Sequence, residues 1–457
     1  MLPAIDPATR EPFTEVAAAT PADVDDAVTR ARASRARARD WRTPTRRAAA
    51  LTALARLIEA NAAELAELEC RDTGKPLAQA RSDIAVGARY FDFYAGAADK
   101  LDGRSIPLGP DHVDYTIREP WGVCGQIIPW NYPLQVTARC AAPALAAGNA
   151  VVLKPSELAF VTPVRLAMLA AEAGVPDGML EVLCGAGDVG GALVAHPGVD
   201  HVTFVGSPRT GSIVAHACAE RLAPLELELG GKSPNVVFAD ADLERVVPAV
   251  VRALVQNAGQ SCSAGTRLLV ERSCYDEVLE AIAAALSALT IGPGLEDPDL
   301  GPLITGGQQR HALGMLERAR GDGAELRVGG GVPQAFADGW YVEPTLVADV
   351  PVASELFNEE VFGPVLAAAA FDDEEEAVAL ANGTPYGLVA GVWTNNLSRA
   401  HRVAGEIAAG QVFVNSYGVA GGVELPFGGV KRSGYGRAKG IDALLGYTQV
   451  KNVCIAL

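Results

Sequence analysis

Short apolar runs alternate with helix-type stretches from about residue 120 onward, and this alternation limits the fold more than any other feature. The first runs are residues 122–128, 150–153, 180–183 and 201–205, and Ala- and Leu-rich segments lie between them. Such alternation predicts βαβ units and a doubly wound parallel sheet. Ligands of such sheets bind beyond the carboxyl ends of the strands, so the residues just after each strand are the candidate site residues.

The pattern begins again after residue 231, with apolar runs at 234–238 and 266–270. Because a chain of 457 residues is longer than one hydrophobic core usually covers, we expect a second α/β domain that begins near Gly230 and Gly231. Residues 21–100 are predicted to form successive amphipathic helices. The segments 114–118 and 450–457 fit neither domain and are typical of exposed edge strands, which another subunit often covers.

Charge and cysteine spacing exclude several classes of protein. The formal net charge of −17 opposes binding to a nucleic-acid backbone. No apolar run is long enough to span a bilayer and the N-terminus has no signal-peptide layout, so we expect a cytoplasmic protein without a membrane partner. The cysteines are widely spaced, with no CxxC pair and no histidine at metal-ligand spacing, which predicts a reducing compartment and no metal site.

One segment runs against the acidic composition. Between residues 30 and 47 the arginines are Arg30, Arg32, Arg35, Arg37, Arg39, Arg42, Arg46 and Arg47. We interpret them as a solvated helical face whose acidic partners are Asp23, Asp25 and Asp26. An organelle-targeting arm is the alternative, and the same acids oppose it.

Cys262 is the candidate nucleophile. It lies among small residues in the run 256–267, with no second cysteine nearby for a disulfide, and small neighbours leave room for a substrate carbon to approach the sulfur. Glu228, upstream in a Gly-rich setting, could activate either the thiol or a water that later attacks a thioester. A buried cysteine is more often an inert small hydrophobe, so the thiol by itself leaves both interpretations open.

Two segments that follow predicted strands are candidate nucleotide sites. The segment 154–157 supplies a cation and a carboxylate for ribose hydroxyls, and the segment 206–211 opens a helix whose free backbone N–H groups attract phosphate. The segment 185–190 also satisfies the GxGxxG pattern. The next strand ends without the acidic residue that such sites use, however, which favours a plain turn there.

Seven short motifs stand in a fixed order along the chain. They are Pro129-Trp130-Asn131-Tyr132-Pro133, Lys154-Pro155-Ser156-Glu157, Phe204-Val205-Gly206-Ser207, Glu228-Leu229-Gly230-Gly231-Lys232, Gly259-Gln260-Ser261-Cys262, Glu360-Val361-Phe362-Gly363-Pro364 and Pro426-Phe427-Gly428-Gly429. In this order they resemble the NAD(P)-dependent aldehyde dehydrogenase superfamily, from about residue 6 to the final strand. Glu228 favours the hydrolytic branch, because members that acylate CoA commonly lack this base.

The resemblance implies oxidation of an aldehyde to the carboxylic acid with NAD. Cys262 would form a thiohemiacetal and then a thioester, Asn131 and a backbone N–H would hold the oxyanion, and Glu228 would activate the hydrolytic water. The coenzyme would contact Lys154, Ser156, Glu157, Gly206, Ser207, Trp130, Glu360 and Phe362. A carboxylate at Glu157 favours NAD, with NADP still possible, because it would repel a 2′-phosphate.

The resemblance also implies an α/β fold with three parts. A Rossmann-like coenzyme-binding domain would comprise residues 1–101 and 121–230, and a second α/β catalytic domain residues 231–435. Residues 102–120 and 436–457 would form a small β element for oligomerisation. A homodimer or homotetramer is therefore expected.

Tyr132 and Arg139 are the candidate substrate contacts. The position of Arg139 is often aromatic in relatives that oxidise betaine aldehyde, and a guanidinium there would repel a trimethylammonium group and attract a carboxylate or hydroxyl. We therefore expect an acidic or oxygenated, semialdehyde-like substrate, although Gln256 stands where semialdehyde-oxidising relatives tend to have a second arginine. The other interpretation makes Arg139 a surface or salt-bridging residue.

Two further positions depart from the family pattern. Cys140 stands where a lysine is usual and Ala438 where glutamate is frequent, and in relatives these residues are thought to assist proton exit. We therefore expect proton release to rely on Glu228 and water. The alternative function for the whole chain is a cysteine hydrolase or thioesterase that uses Cys262 and Glu228 without a dinucleotide.

Overall fold

The computed structural model describes residues 1–418 and 422–457. In chain order, the strands are β1 (Leu2–Ile5), β2 (Pro12–Val16), β3 (Ser105–Ile106), β4 (His112–Pro120), β5 (Val123–Ile127), β6 (Ala150–Lys154), β7 (Leu180–Val182), β8 (His201–Val205), β9 (Leu225–Glu228), β10 (Pro234–Val237), β11 (Arg267–Glu271), β12 (Glu325–Val328), β13 (Thr345–Ala348), β14 (Val365–Phe371), β15 (Val389–Trp393), β16 (Gln411–Val414), β17 (Gly434–Tyr435) and β18 (Thr448–Ala456). The α-helices are α1 (Pro21–Arg37), α2 (Pro44–Ala60), α3 (Ala62–Thr73), α4 (Leu77–Ala97), α5 (Pro133–Ala147), α6 (Val161–Glu172), α7 (Gly187–Ala195), α8 (Pro208–Glu220), α9 (Leu243–Val255), α10 (Tyr275–Ser287), α11 (Gly306–Gly321), α12 (Glu355–Asn358), α13 (Glu374–Asn382), α14 (Leu397–Glu406) and α15 (Gly440–Gly446).

The first sheet has the strand order β17-β9-β8-β5-β6-β7. Strands β5 to β9 run parallel, and the short β17 joins β9 in the antiparallel direction. Every residue of β6 and β8 is buried, as expected for parallel strands that helices cover on both faces. The apolar runs predicted as strands at 122–128, 150–153, 180–183 and 201–205 are thus confirmed as β5 to β8.

The second sheet has the order β12-β13-β14-β11-β10-β15-β16, and only β12 pairs with its neighbour in the antiparallel direction among the described strands. Its apolar core is separate from that of the first sheet. The predicted α/β class with two mainly parallel sheets is confirmed. The chain passes from one sheet to the other between β9 and β10, through Gly230 and Gly231.

The two predicted edge strands pair with each other. Strand β18 runs antiparallel to β4 from Thr448 opposite Pro120 to Ala456 opposite His112, and β3 joins the other side of β4. Large apolar side chains on this sheet are exposed, namely Val113, Tyr115, Ile117, Val450 and Ile455. In the part of the chain that the structure describes, no helix is both long and apolar enough to cross a membrane.

The predicted helical region 21–100 forms α1 to α4, but its arginines do not pair as expected. Arg30 Nη2 lies 3.1 Å from Glu181 Oε2, and Arg32 Nη1 lies 3.3 Å from Asp200 Oδ2. Asp23 instead accepts a hydrogen bond from the backbone N–H of Thr20, 2.7 Å away, at the start of α1. Among the described residues, Asp23, Asp25 and Asp26 form no direct ion pair with these arginines, because α1 faces residues that are distant in sequence; Asp23 and Asp26 interact with Arg30 only through charge at longer range.

A buried ion cluster ties the helices beneath the site together. Lys75 Nζ, at the turn between α3 and α4, lies 3.2 Å from Glu69 Oε1 and 2.7 Å from Asp83 Oδ2, and all three residues are buried. Glu69 Oε2 also accepts a hydrogen bond from Thr162 in α6. Lys75 Nζ is 4.5 Å from the centre of the Tyr132 ring, so the cluster supports the residues that begin α5.

We predict that Lys75→Met lowers the apparent free energy of unfolding by about 3–5 kcal/mol, because it leaves two carboxylates buried without a counter-charge. Urea denaturation followed by circular dichroism measures this change. Arg71→Ala is the control: Arg71 Nη2 lies 3.0 Å from Glu67 on the surface, and its loss should cost less than about 1 kcal/mol. A Lys75→Met protein as stable as the Arg71→Ala protein would contradict this account.

Candidate active site

A cavity of about 1010 Å³ is lined by residues that follow strands of the first sheet and by loops and strands of the second. It brings together most of the predicted site residues: Trp130, Asn131, Tyr132, Arg139, Gly206, Ser207, Glu228, Cys262, Glu360 and Phe362. Lys154, Ser156 and Glu157 are not part of its lining. The candidate residues that follow predicted strands therefore line one common cavity, except for the segment 154–157, which does not line it.

The loop that carries Cys262 has an unusual backbone. After α9 the chain makes a 3₁₀ turn, Gln256–Gly259, in which Asn257 and Ala258 have φ values of 49° and 53°. Left-handed φ values in non-glycine residues cost free energy and persist where the surroundings hold them. Asn257 Nδ2 donates to the Asn131 carbonyl at 2.8 Å, and its backbone N–H donates to Gln79 Oε1 at 2.8 Å.

Asn131 is fixed beside this loop. Its side chain is buried, and Nδ2 donates to the Gln260 carbonyl at 2.9 Å. Gln260 is itself held, because its Oε1 accepts the Ile304 backbone N–H at 2.9 Å. An amide nitrogen carries two hydrogens, so Asn131 retains a second donor for a ligand near Cys262. The supporting roles of Gln79, Asn257 and Gln260 were not predicted, since they depend on contacts between distant segments.

The thiol of Cys262 is partly exposed to the cavity. Its pKa is raised to about 11, mainly by burial; Glu360 and Glu228 also raise it, while Arg139 and Lys439 lower it. The thiol is therefore mostly protonated at neutral pH in the absence of ligands. Glu228 does not stabilise the thiolate by its charge, because a second negative charge raises the thiol pKa; activation of the thiol or of a water would require it to act as a base.

Glu228 ends strand β9 and is almost fully buried. Its carboxylate oxygens have no well-formed hydrogen bond among the described residues. Burial raises the pKa of Glu228 well above its usual value, Arg139 lowers it, and the neighbouring Glu226 raises it again. Gly428 makes room for this side chain, since a Cβ there would lie 2.7 Å from Glu228 Oε1. A raised pKa makes the ionised carboxylate a stronger base, and the group can accept a proton only in that ionised form.

Arg139 projects from α5 into the same cavity, and the interpretation of it as a surface residue is wrong. It is 7% exposed, its Nε and Nη2 have no oxygen or nitrogen acceptor among the described residues, and its guanidinium interacts with the thiol of Cys140. Its Cζ lies 5.2 Å from the centre of the Phe427 ring. Unpaired guanidinium donors in a cavity are available to an anionic or oxygenated ligand.

Lys439 is a second cation that the sequence analysis missed. It lines the cavity, and its Nζ lies 4.9 Å from the centre of the Phe427 ring. Burial lowers the pKa of Lys439 to about 8, and Arg139 lowers it as well. Its position directly after Ala438, already noted as a departure from the family pattern, was the signal that could have identified it.

The opposite part of the cavity has the features of a nucleotide site. Ser207 is the N-cap of α8, where its Oγ accepts the Thr210 backbone N–H at 3.3 Å, and this helix start borders the cavity. The rings of Trp130 and Phe362 meet edge to face with centres 5.4 Å apart. Near the cavity but outside its lining, Lys154 Nζ lies 3.0 Å from Glu157 Oε2.

Glu360 links this region to Cys262. Its Oε1 accepts the Gly231 backbone N–H at 3.1 Å. Burial raises the pKa of Glu360 to about 7, while the Gly231 N–H and Lys232 lower it. No cluster of three or more potential metal-ligating side chains occurs among residues 1–418 and 422–457. The arrangement can thus offer a thiol nucleophile, a general base, an amide donor and a nucleotide site in one cavity.

Comparison with known proteins agrees with this chemistry. The sequence model of the aldehyde dehydrogenase family matches residues 1–453. A betaine aldehyde dehydrogenase of Cereibacter sphaeroides is 45% identical over 462 aligned positions, which cover 100% of this chain and 94% of the relative. An NAD⁺ complex of an aldehyde dehydrogenase from Bacillus cereus has a TM-score of 0.97 at 39% identity, with 100% of this chain and 93% of that chain covered.

A betaine aldehyde dehydrogenase from Staphylococcus aureus, also solved with NAD⁺, has a TM-score of 0.96 at 35% identity, covering 99% of this chain and 94% of that chain.

We predict that alkylation of Cys262 by iodoacetamide accelerates as the pH rises from 7 towards 10, because only the thiolate reacts and the pKa of Cys262 is raised to about 11. Arg139→Met should slow alkylation at pH 8 about tenfold, since loss of a nearby cation raises the thiol pKa further. Peptide mapping by mass spectrometry isolates Cys262 from Cys274 and Cys454. An unchanged rate in Arg139→Met would show that the guanidinium does not act on the thiol.

Proposed function

The chain belongs to the aldehyde dehydrogenase family and catalyses NAD-dependent oxidation of an aldehyde, and from this premise we propose that Cys262, Asn131 and Glu228 perform the chemistry. The observation that carries the proposal is the shared cavity. A partly exposed thiol, a buried carboxyl group with a raised pKa and a fixed amide donor all line it. These three residues are distant in sequence and belong to the two different sheet regions. Their proximity is therefore a result of the fold and not of closeness along the chain.

In the first step, the Cys262 thiolate adds to the aldehyde carbon and forms a thiohemiacetal. The negative oxygen that develops accepts hydrogen bonds from Asn131 Nδ2 and the Cys262 backbone N–H, and such donors lower the barrier when they are already in position. The hydrogen bond from Asn131 to the Gln260 carbonyl provides this positioning. NAD, when bound, accepts the hydride that converts the thiohemiacetal to a thioester.

In the second step, Glu228 takes a proton from a water that attacks the thioester carbon, and the acid is released as Cys262 leaves as a thiolate. The raised pKa of Glu228 makes its carboxylate a stronger base than an exposed glutamate. Burial also raises the pKa of Cys140 to about 12, so this thiol stays protonated at neutral pH and does not accept a proton from Glu228. Proton release therefore passes from Glu228 to water.

The coenzyme-binding residues fit a dinucleotide. The start of α8 at Gly206 and Ser207 suits its pyrophosphate, because the backbone N–H groups and the dipole of a helix N-terminus attract phosphate. Glu360 would bind the nicotinamide ribose, with Phe362 and Trp130 beside the nicotinamide end. Lys154, Ser156 and Glu157 would hold the adenosine ribose, and the carboxylate of Glu157 disfavours NADP.

The substrate proposed for this cavity is an acidic or oxygenated aldehyde. Arg139 presents unpaired N–H donors in the cavity that holds Cys262, and Lys439 adds a second positive charge there. A trimethylammonium group, which the aldehyde of the named betaine relatives carries, would be repelled by both cations. Tyr132, buried at the start of α5, would contact the substrate close to Asn131.

The alternative of a cysteine hydrolase that works without a dinucleotide is not favoured, because the family match is full length and relatives of the same fold bind NAD⁺. We also propose the division into residues 1–101 with 121–230, residues 231–435, and residues 102–120 with 436–457. The exposed apolar side chains of β4 and β18 support a homodimer or homotetramer formed through the last of these. The unpaired cysteines support a cytoplasmic location.

We predict that Glu228→Gln lowers steady-state turnover by about 100-fold or more, because hydrolysis of the thioester loses its base. The first turnover should still produce about one equivalent of NADH, since hydride transfer precedes hydrolysis. Stopped-flow absorbance measures both phases. In the unchanged protein, turnover should rise with pH as the Glu228 carboxyl, whose pKa is raised well above its usual value, loses its proton, and this part of the rise should be absent in Glu228→Gln. Full turnover by Glu228→Gln would exclude the proposed base.

We predict that Arg139→Met lowers kcat/KM for a carboxylated aldehyde about 10- to 100-fold relative to an uncharged aldehyde of the same length, because a hydrogen bond to a charged group is lost. The ratio is the readout, since the effect of Arg139 on the thiol pKa changes both rates alike. Arg252→Gln, which removes another arginine of the cavity lining, is the control. Preference for betaine aldehyde in the unchanged protein would contradict the proposed substrate class.

A further inference from the structure

A second cavity, of about 660 Å³, lies among the N-terminal helices, β4 and the start of β5. None of the residues assigned above to catalysis, coenzyme or substrate lines it. Its charged lining residues are Arg32, Arg35, Arg42, Arg47, Arg118, Asp99 and Asp200. In a chain whose net charge is −17, this concentration of arginine is a local reversal of charge.

The two aspartates balance only part of the charge of the five arginines, because Asp200 pairs with Arg32 alone and Asp99 pairs with Lys100, which does not line the cavity. Asp200 accepts the Val123 backbone N–H at 2.8 Å and lies 3.3 Å from Arg32 Nη1. Asp99 Oδ1 lies 2.6 Å from Lys100 Nζ. Among the described residues, Arg35 and Arg42 have no carboxylate in ion-pair range. The cavity therefore retains uncompensated positive charge.

Arg47 is the most buried of the arginines that line this cavity. It is 5% exposed, its Nε donates to the Ala146 carbonyl at 2.7 Å, and its Nη1 donates to the Trp41 carbonyl at 2.8 Å. Burial lowers the pKa of Arg47, as expected for a cation that faces carbonyl groups and no anion. Arg35 Nε and the indole N–H of Trp41 also lack an acceptor in the described part of the chain. Buried donors left unpaired are unfavourable, so a negatively charged acceptor fits this wall.

We propose that this cavity binds a small phosphate-bearing anion, held by Arg35, Arg42 and Arg47. Guanidinium groups donate paired N–H bonds that match the oxygens of a phosphate. Several arginines around one cavity also suit a group with two or more negative charges better than a monocarboxylate. The site is separate from the coenzyme pyrophosphate site, because Gly206 and Ser207 line only the larger cavity.

Isothermal titration calorimetry of the full-length protein with inorganic pyrophosphate tests this proposal. Saturating NAD is present throughout, so that the coenzyme site is occupied. We expect saturable binding of one pyrophosphate per chain, about tenfold weaker in Arg35→Gln and in Arg42→Gln, and weaker still when both are changed. Neither side chain donates a hydrogen bond to the protein at the distances the structure gives, so both variants should fold.

Arg39→Gln is the matched control, because Arg39 is exposed in the same segment but does not line the cavity. It should bind pyrophosphate as the unchanged protein does. The proposal is overturned if the unchanged protein shows no saturable binding, if Arg35→Gln and Arg42→Gln bind normally, or if Arg39→Gln weakens binding equally. Aldehyde oxidation at saturating substrate should remain unchanged in all three variants and serves as the check on folding.

Discussion

The crossing between the two sheets at Gly230 and Gly231 is the constraint on which the active site depends. A Cβ on Gly231 would lie 2.6 Å from the Cys262 carbonyl oxygen, and a Cβ on Gly230 would collide with the carboxylate of Glu360. The Ser433 Oγ donates to the Gly230 carbonyl at 2.7 Å and fixes the crossing from the other side. Because these two positions have no side chains, the end of β9, the nucleophile loop and Glu360 can meet.

Charge balance in this small volume determines how reactive the thiol is. The carboxyl groups of Glu228 and Glu360 raise the pKa of Cys262, and the cations of Arg139 and Lys439 lower it. In a site of low dielectric constant such interactions are strong, so a change in one charge shifts the protonation of the others. An acidic aldehyde bound at Arg139 would offset part of the charge that favours the thiolate. If the proposed substrate class holds, one guanidinium acts on both substrate selectivity and thiol reactivity.

The sequence predicted most of the fold and the residues of the cavity for a physical reason. Parallel strands end at the same edge of a sheet, so motifs after successive strands converge, and Asn131, Ser207 and Glu228 follow this rule. What escaped prediction depends on contacts between distant segments. Gln79 is 178 residues from Asn257, whose backbone it holds, and Arg30 is 151 residues from Glu181. No local pattern encodes such pairs, and the same limit led to the wrong partners for the arginines of α1.

The surroundings of the Phe427 ring support the proposal that the substrate differs from that of the betaine aldehyde dehydrogenases. An aromatic face attracts a cation, and this is the usual means of binding a quaternary ammonium group. Here Arg139 and Lys439 already lie 5.2 and 4.9 Å from the ring centre. Position 140 is a neutral cysteine and position 438 an alanine, so neither neighbour neutralises these cations. The ring thus stabilises the protein's own positive charges, and this arrangement is the basis for proposing an acidic or oxygenated aldehyde as the substrate.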